Sequence, residues 1–216
     1  MRGVEERVAE AKRRVQEFFS KMSRRPEEGL IELAGEPQLL VSFRSIVAAH
    51  ISLSRRFGSR AAELALYRLG YEMGVSCCRA ISSAYGIEDP VDRLLMGPFS
   101  FVGMGWMPYV DFLKAELEPG EGWLLLWESR SRYAERFLAL QGSSEAPVCF
   151  MLAGVSAGWC SESFNLPLAA REVSCMASGG EACRFLVAHR RRLFETSRQE
   201  WVRAPRGEFE AVRFEF

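Results

Sequence analysis

Histidine and lysine are nearly missing from this chain, and so is net charge. Only His50 and His189 occur in 216 residues, and 28 Lys plus Arg balance 28 Asp plus Glu. A balanced charge leaves no overall field to draw in nucleic acid or an anionic membrane, although 25 of the 28 cations are arginine and local patches stay open to it. No apolar run approaches the roughly 20 residues that span a bilayer, and the first twenty residues are a charged amphipathic segment rather than a secretory signal. A cytosolic location is expected. Nothing matches a glycine-rich dinucleotide fingerprint, a phosphate-cradling G-x-x-x-x-G-K-[ST] or an H-E-x-x-H, so no familiar device for holding a hydride donor or a catalytic zinc is present. Six cysteines are too few for a disulfide scaffold at this length. In a reducing compartment, clustered cysteines point to metal more often than to crosslinks.

What is present is ordinary globular material, 48% hydrophobic and 26% charged, enough for one continuous core. Val4, Val8, Ala11, Val15, Phe18 and Met22 recur at alternating spacings of four and three, which predicts an amphipathic helix whose narrow stripe lies on its own domain or on a second copy. Two apolar runs, Leu30 to Leu33 and Leu39 to Phe43, flank Gly35-Glu36-Pro37 and predict a β-hairpin. Helices are expected from Ser45 to Arg56 and from Ser59 to Ala84, joined at Phe57-Gly58. A shorter segment from Val91 to Met96 precedes a glycine-rich aromatic stretch. Its Phe99, Phe101, Trp106 and Tyr109 are candidates to line a pocket, against the plainer reading that they fill a core. Trp123 to Trp127 reads as a buried strand, Ser131 to Leu140 as a helix, and the small-residue segment from Val148 to Ser163 as a helix packed close to its neighbours. Leu168 to Ala177 and Ala182 to Ala188 look like strands about the turn Ser178-Gly179-Gly180-Glu181. The segment from Arg190 to Phe216 begins as a basic helix and ends on a spacing that suits an edge strand or a docking segment. Taken as units, these are an N-terminal helix (1–25), a main domain (26–190) and a tail (191–216).

The chemically pointed residues are Cys149, Glu172, Cys175 and Cys183. Three thiolates and a carboxylate make a tetrahedral zinc set, and four protein ligands make it a structural rather than a catalytic one. Cys175 and Cys183 fall nearly opposite in the expected hairpin. Glu172, three residues before Cys175, points to the other face of a regular strand, so both reach one metal only if the strand bends, bulges or ends between them. Cys160 competes as a ligand. Cys77 and Cys78 sit side by side on a helix and point in different directions.

The stretch from Pro147 to Gly154, then Ala157-Gly158-Trp159-Cys160-Ser161, then Arg171-Glu172-Val173-Ser174-Cys175 through Gly180 to Cys183-Arg184-Phe185, resembles the 4-vinyl reductase domain. It resembles most the form found in the N-terminal sensor of bacterial activators of aromatic catabolism. Pro26 to Gly29, Arg68 to Tyr71 and Leu95 to Pro98 are similar to upstream segments of that sensor. The resemblance implies an α/β (α+β) fold with helices on an antiparallel sheet, related in shape to vesicle-tethering subunits, usually a homodimer. It also implies a structural zinc held by residues matching Cys149, Glu172, Cys175 and Cys183, and a buried pocket for a hydrophobic small molecule. In the phenol sensors a histidine and a tryptophan hold the ligand hydroxyl. Here Phe101 stands where that histidine belongs, and Trp127 is the candidate tryptophan. A buried hydroxyl without a partner costs about 1–3 kcal/mol, so a ligand less polar than phenol is expected.

Gly154-Val155-Ser156-Ala157-Gly158 also fits the G-x-S-x-G nucleophile elbow, with only His189 downstream as a base. The many small residues around it favour close helix packing instead. The expected function is therefore sensing or carriage of an aromatic or other hydrophobic ligand, with a downstream regulatory protein as partner. A tetrapyrrole-directed enzyme or accessory, or a ligand-free scaffold, is the alternative. An ATPase and a helix-turn-helix normally follow such sensors, and 216 residues hold neither, so the chain reads as a sensor fragment or a stand-alone module.

Overall fold

The structure is a computed structural model that describes residues 3–216. Its centre is an antiparallel five-stranded sheet, formed by β4 (Val110–Glu116), β5 (Leu124–Ser129), β6 (Leu168–Ser174), β7 (Cys183–His189) and β8 (Val212–Phe214), in the order β6-β7-β5-β4-β8. Its inner face is covered by α4 (Pro90–Gly103) and α6 (Phe150–Phe164). Behind these lie α1 (Val4–Ser20) on α4 and α3 (Ser59–Tyr85) on α6. The helices α2 (Phe43–Phe57) and α5 (Arg132–Gln141) pack together at the side, with α2 also against α3.

β5 is buried along its whole length because both of its faces are covered. Leu125 and Trp127 point into the main core, whereas Leu126 joins Leu113, Leu186 and Val202 in a second cluster under the C-terminal segment. Arginines fasten that segment to the outer face. Arg206 and Arg213 reach the fully buried Asp111 at 2.8 and 2.9 Å. Arg184, paired with Glu128, donates to the carbonyls of Val202 and Ala204. Burial alone would raise Asp111, but hydrogen bonds from Arg213 and Arg206 hold it below the ordinary carboxylate range. The tail thus ends on an edge strand, β8, one of the two endings expected of it, and has a short helix, α7 (Leu193–Thr196), where a basic helix was expected to begin.

The expected hairpin near residue 35 forms differently. A turn at Ala34 and Gly35, both with positive φ, joins β2 (Leu30–Leu33) to a two-residue β3 (Glu36–Pro37), and β1 (Ser23–Arg25) pairs on the other side of β2. Leu39, Leu40 and Val41 are exposed coil, and Ser42 caps α2 by accepting from the Ser45 amide. That helix start takes Phe43 out of the strand expected there. A second correction concerns α4. Asp89 caps it, Pro90 opens it, and it runs unbroken through Gly97-Pro98. Packing on three sides outweighs the one hydrogen bond that Pro98 cannot make. On α1, Ala11, Val15 and Phe18 are buried against the chain's own body, while Val4 is exposed.

Candidate metal centre and ligand cavity

Three elements and the turn after one of them deliver the cluster. Cys149 caps the N-terminus of α6, Glu172 lies on β6, Cys175 follows its end, and Cys183 opens β7. The β6–β7 register shifts between Glu172 and Ser174, and β6 then stops. This is the bulge and the ending that the three-residue spacing demanded. One ligand atom from each residue lies within 4.8 Å of the others, and all four side chains are buried. Cys149 Sγ is 3.8 Å from Cys183 Sγ, which is 4.0 Å from Cys175 Sγ. Bonds of about 2.3 Å directed to the corners of a tetrahedron put sulfurs about 3.8 Å apart, whereas a disulfide needs about 2.05 Å.

The surroundings fit a cation. Glu172 accepts from the Cys149 amide at 2.8 Å through Oε2, while Oε1 is buried with no hydrogen-bond partner. The Met176 amide points at Cys183 Sγ at 3.4 Å, and Ser131 Oγ lies 3.5 Å from Cys149 Sγ. Burial pushes the Cys149 thiol and the Glu172 carboxyl well above their ordinary values. The Cys149 and Cys183 thiols, hydrogen-bonding to Cys175, draw its own thiol downward. Four acidic groups this close cannot all ionise without a positive charge among them, and a divalent ion supplies one. A closed, sulfur-rich set with no open position suits zinc in a structural role. Cys160 stands elsewhere on α6, and Cys78 faces Ser163 Oγ at 3.5 Å in the core, so neither joins the set.

Between the sheet and its inner helices lies a second feature, a cavity of about 20 Å³. Gly97 and Phe101 of α4, Trp127 of β5, and Ser156, Trp159 and Cys160 of α6 contribute to its wall. Of the pocket residues expected from sequence, Phe101 and Trp127 meet there, with ring centroids 5.7 Å apart, and Trp127 stacks on Phe185 at 4.3 Å. The other three lie apart, Tyr109 against the guanidinium of Arg213. Phe99 packs on Phe214 and Phe216, and Trp106 packs on Phe43. Ser156, Trp159 and Cys160 were not singled out from sequence as lining residues, although their three-to-four spacing on one helix was readable. Neither histidine lines the cavity. His50 bonds Tyr133 Oη through Nδ1 at 2.9 Å, and the Nδ1 of His189 is buried without a partner.

The G-x-S-x-G match proves to be packing. Ser156 is in mid-helix, away from any strand-to-helix turn. A Cβ added at Gly154 or Gly158 would fall 2.1 Å from the carbonyl oxygens of Tyr67 and Tyr71, and one at Gly70 or Gly74 would strike those of Met151 and Val155. Two pairs of glycines, each spaced by four, let α3 and α6 touch backbone to backbone.

A module of helices on an antiparallel sheet, with a buried sulfur and carboxylate cluster and an aromatic-lined cavity, is the class these features define. Residues 130–189 match the V4R domain, and residues 17–113 match the family described as activator of aromatic catabolism. The resemblance carried by the cysteine and glycine motifs is thereby confirmed. The fold is similar to the crystal structure of the phenol-responsive sensory domain of the transcription activator PoxR with phenol, at a TM-score of 0.76 and 20% identity over 90% of this chain and 97% of that one. A vinyl-4-reductase family protein from Methanocaldococcus jannaschii aligns at a TM-score of 0.42 and 19% identity, over 87% and 95% of the two chains. No protein of curated function matches the chain.

Proposed function

We propose that this protein is a regulatory sensor of small aromatic molecules, with a structural zinc on Cys149, Glu172, Cys175 and Cys183. The carrying observation is the cavity walled by the buried side chains of Phe101, Trp127 and Trp159, set against the helix that starts at the cluster. The match to activators of aromatic catabolism supports the same reading. Rings offer the cavity's guest a large apolar contact, and they favour a ligand that brings little polarity of its own. In this proposal Phe101 and Trp127 contact the ligand, Phe99 and Trp106 support the wall from behind, and the zinc ties the β6–β7 hairpin to α6. Zinc itself would supply cross-linking and charge neutralisation, with the bond-making left to side chains that are already in place. The working form is proposed to be a cytosolic homodimer acting on a downstream regulatory protein.

Thermal melting and native mass spectrometry with toluene and with phenol test this. Toluene should form a one-to-one adduct and raise Tm more than phenol at equal concentration. Absence of any adduct and any shift with both arenes contradicts the reading, and turnover with added reductant would replace it by catalysis.

A further inference from the structure

The cavity, at about 20 Å³, holds one water rather than a ring, so a wall must move before an aromatic ligand enters. Three of its walls are held. α6 is locked into α3 by the four glycines, and Cys149 and Ser161 bond it to β6 and to Leu168. β4 is paired with β5 and β5 with β7, and residues 193–209 close their outer face. The first half of α4 is held as well. Trp159 Nε1 donates to the Arg93 carbonyl at 3.0 Å and lies flat against Gly97, while Arg7 of α1 pairs with Asp89 and Asp92.

The second half of α4 is different. Pro98 has no N–H to return to the carbonyl of Leu94, so the helix is weakest there. From that point on, Phe101 faces the cavity, while Phe99 and Gly103 face away from it. Phe99 packs on Phe214 and Phe216, with centroids 5.5 and 5.8 Å away. A Cβ on Gly103 would meet the Phe19 ring of α1 at 2.6 Å and that of Phe216 at 3.2 Å. The end of α1 and the strand β8 therefore rest on the back of one short helical segment whose front lines the cavity.

We propose that residues 98–103 are the moving wall of the cavity, hinged at Pro98, and that occupancy is read out as displacement of Phe19 on α1 and of Phe214 and Phe216 at the C-terminal strand. The inference rests on the sensing role above and names its regulation. It predicts that filling the cavity loosens the end of α1 and the C-terminal strand together, leaving α3, α6 and the Arg7 contacts as they are.

Hydrogen exchange read by mass spectrometry on the full chain tests it in two arms. The first is Ser156→Leu, which adds bulk to the cavity with no ligand present, with Cys160→Met, one turn further along the same helix, as the second variant should the first not fold. The other is the unaltered protein with toluene. Exchange should quicken about tenfold or more in residues 98–104, 18–22 and 212–216, with 90–96 and α6 unchanged. Quickening spread through α6, or none at the two ends, overturns the proposal. A toluene adduct with unmoved ends overturns the coupling and leaves the sensing role standing. Loosened ends in the variants without any toluene adduct support the coupling and count against an apolar arene as ligand.

Discussion

Glu172 accepts one backbone hydrogen bond and keeps its second oxygen buried and unpartnered, an arrangement that costs free energy unless something positive sits beside it. The four residues of the cluster were legible because their types and the spacing of Arg171-Glu172-Val173-Ser174-Cys175 survive in one dimension. What the spacing left open was how Glu172 and Cys175 share a face, and the bulge that solves it depends on pairing with β7. His50 was not legible at all. It is one histidine in a helix, and its meaning comes from Tyr133, 83 residues away, and from the rings of Phe137 and Phe150. Burial lowers its pKa, against a smaller upward pull from Glu63. The unfolded chain then binds the proton more readily than the folded one, so this contribution to stability is complete above about pH 6.5 and is lost as pH falls from there. Melting followed from about pH 7.5 to about pH 5 should show a steeper loss in the wild type than in His50→Gln. Parallel curves would contradict that assignment.

Among the elements, α3 and α6 were the easiest to read and α4 the hardest. The glycines and alanines of residues 153–158 announced close packing, and the backbone contacts at Tyr67 and Tyr71 are that packing. Gly154→Ala should lower stability by about 3 kcal/mol, since a Cβ at 2.1 Å from a carbonyl oxygen forces the two helices apart. Gly122→Ala, where a Cβ meets nothing within 4 Å, is the control and should change stability by less than about 0.5 kcal/mol. Urea titration of the two variants measures the difference, and equal midpoints would mean that the contact is not needed. Gly97-Pro98 misled the reading of α4 because local breakers state only what a segment prefers alone. The burial of Leu94, Met96, Phe99 and Phe101 on several sides of the helix decides otherwise. Leu39 to Val41 misled in the opposite sense: an apolar run is a strand only where another strand is free to pair with it.

At the scale of the whole molecule, the chain is a stack of tail, sheet, inner helices and outer helices, with the cluster at one place where sheet and inner layer are joined by side chains. Periodicity gave most of the helices and the resemblance implied the class of fold, but neither gave the tail's position, because the arginines that fasten it look in sequence like any solvated cations. Asp111, their buried anchor, lies more than ninety residues before them. Cavity and cluster share α6, whose N-cap residue, Cys149, the cluster brings to the β6–β7 hairpin. The most direct test is elemental analysis of the purified protein combined with melting before and after chelation. One zinc per chain is expected, falling to well under one in Cys175→Ser, with Tm lowered by about 10 °C or more on stripping. Metal-free protein that melts at the same temperature with and without chelator would contradict the account.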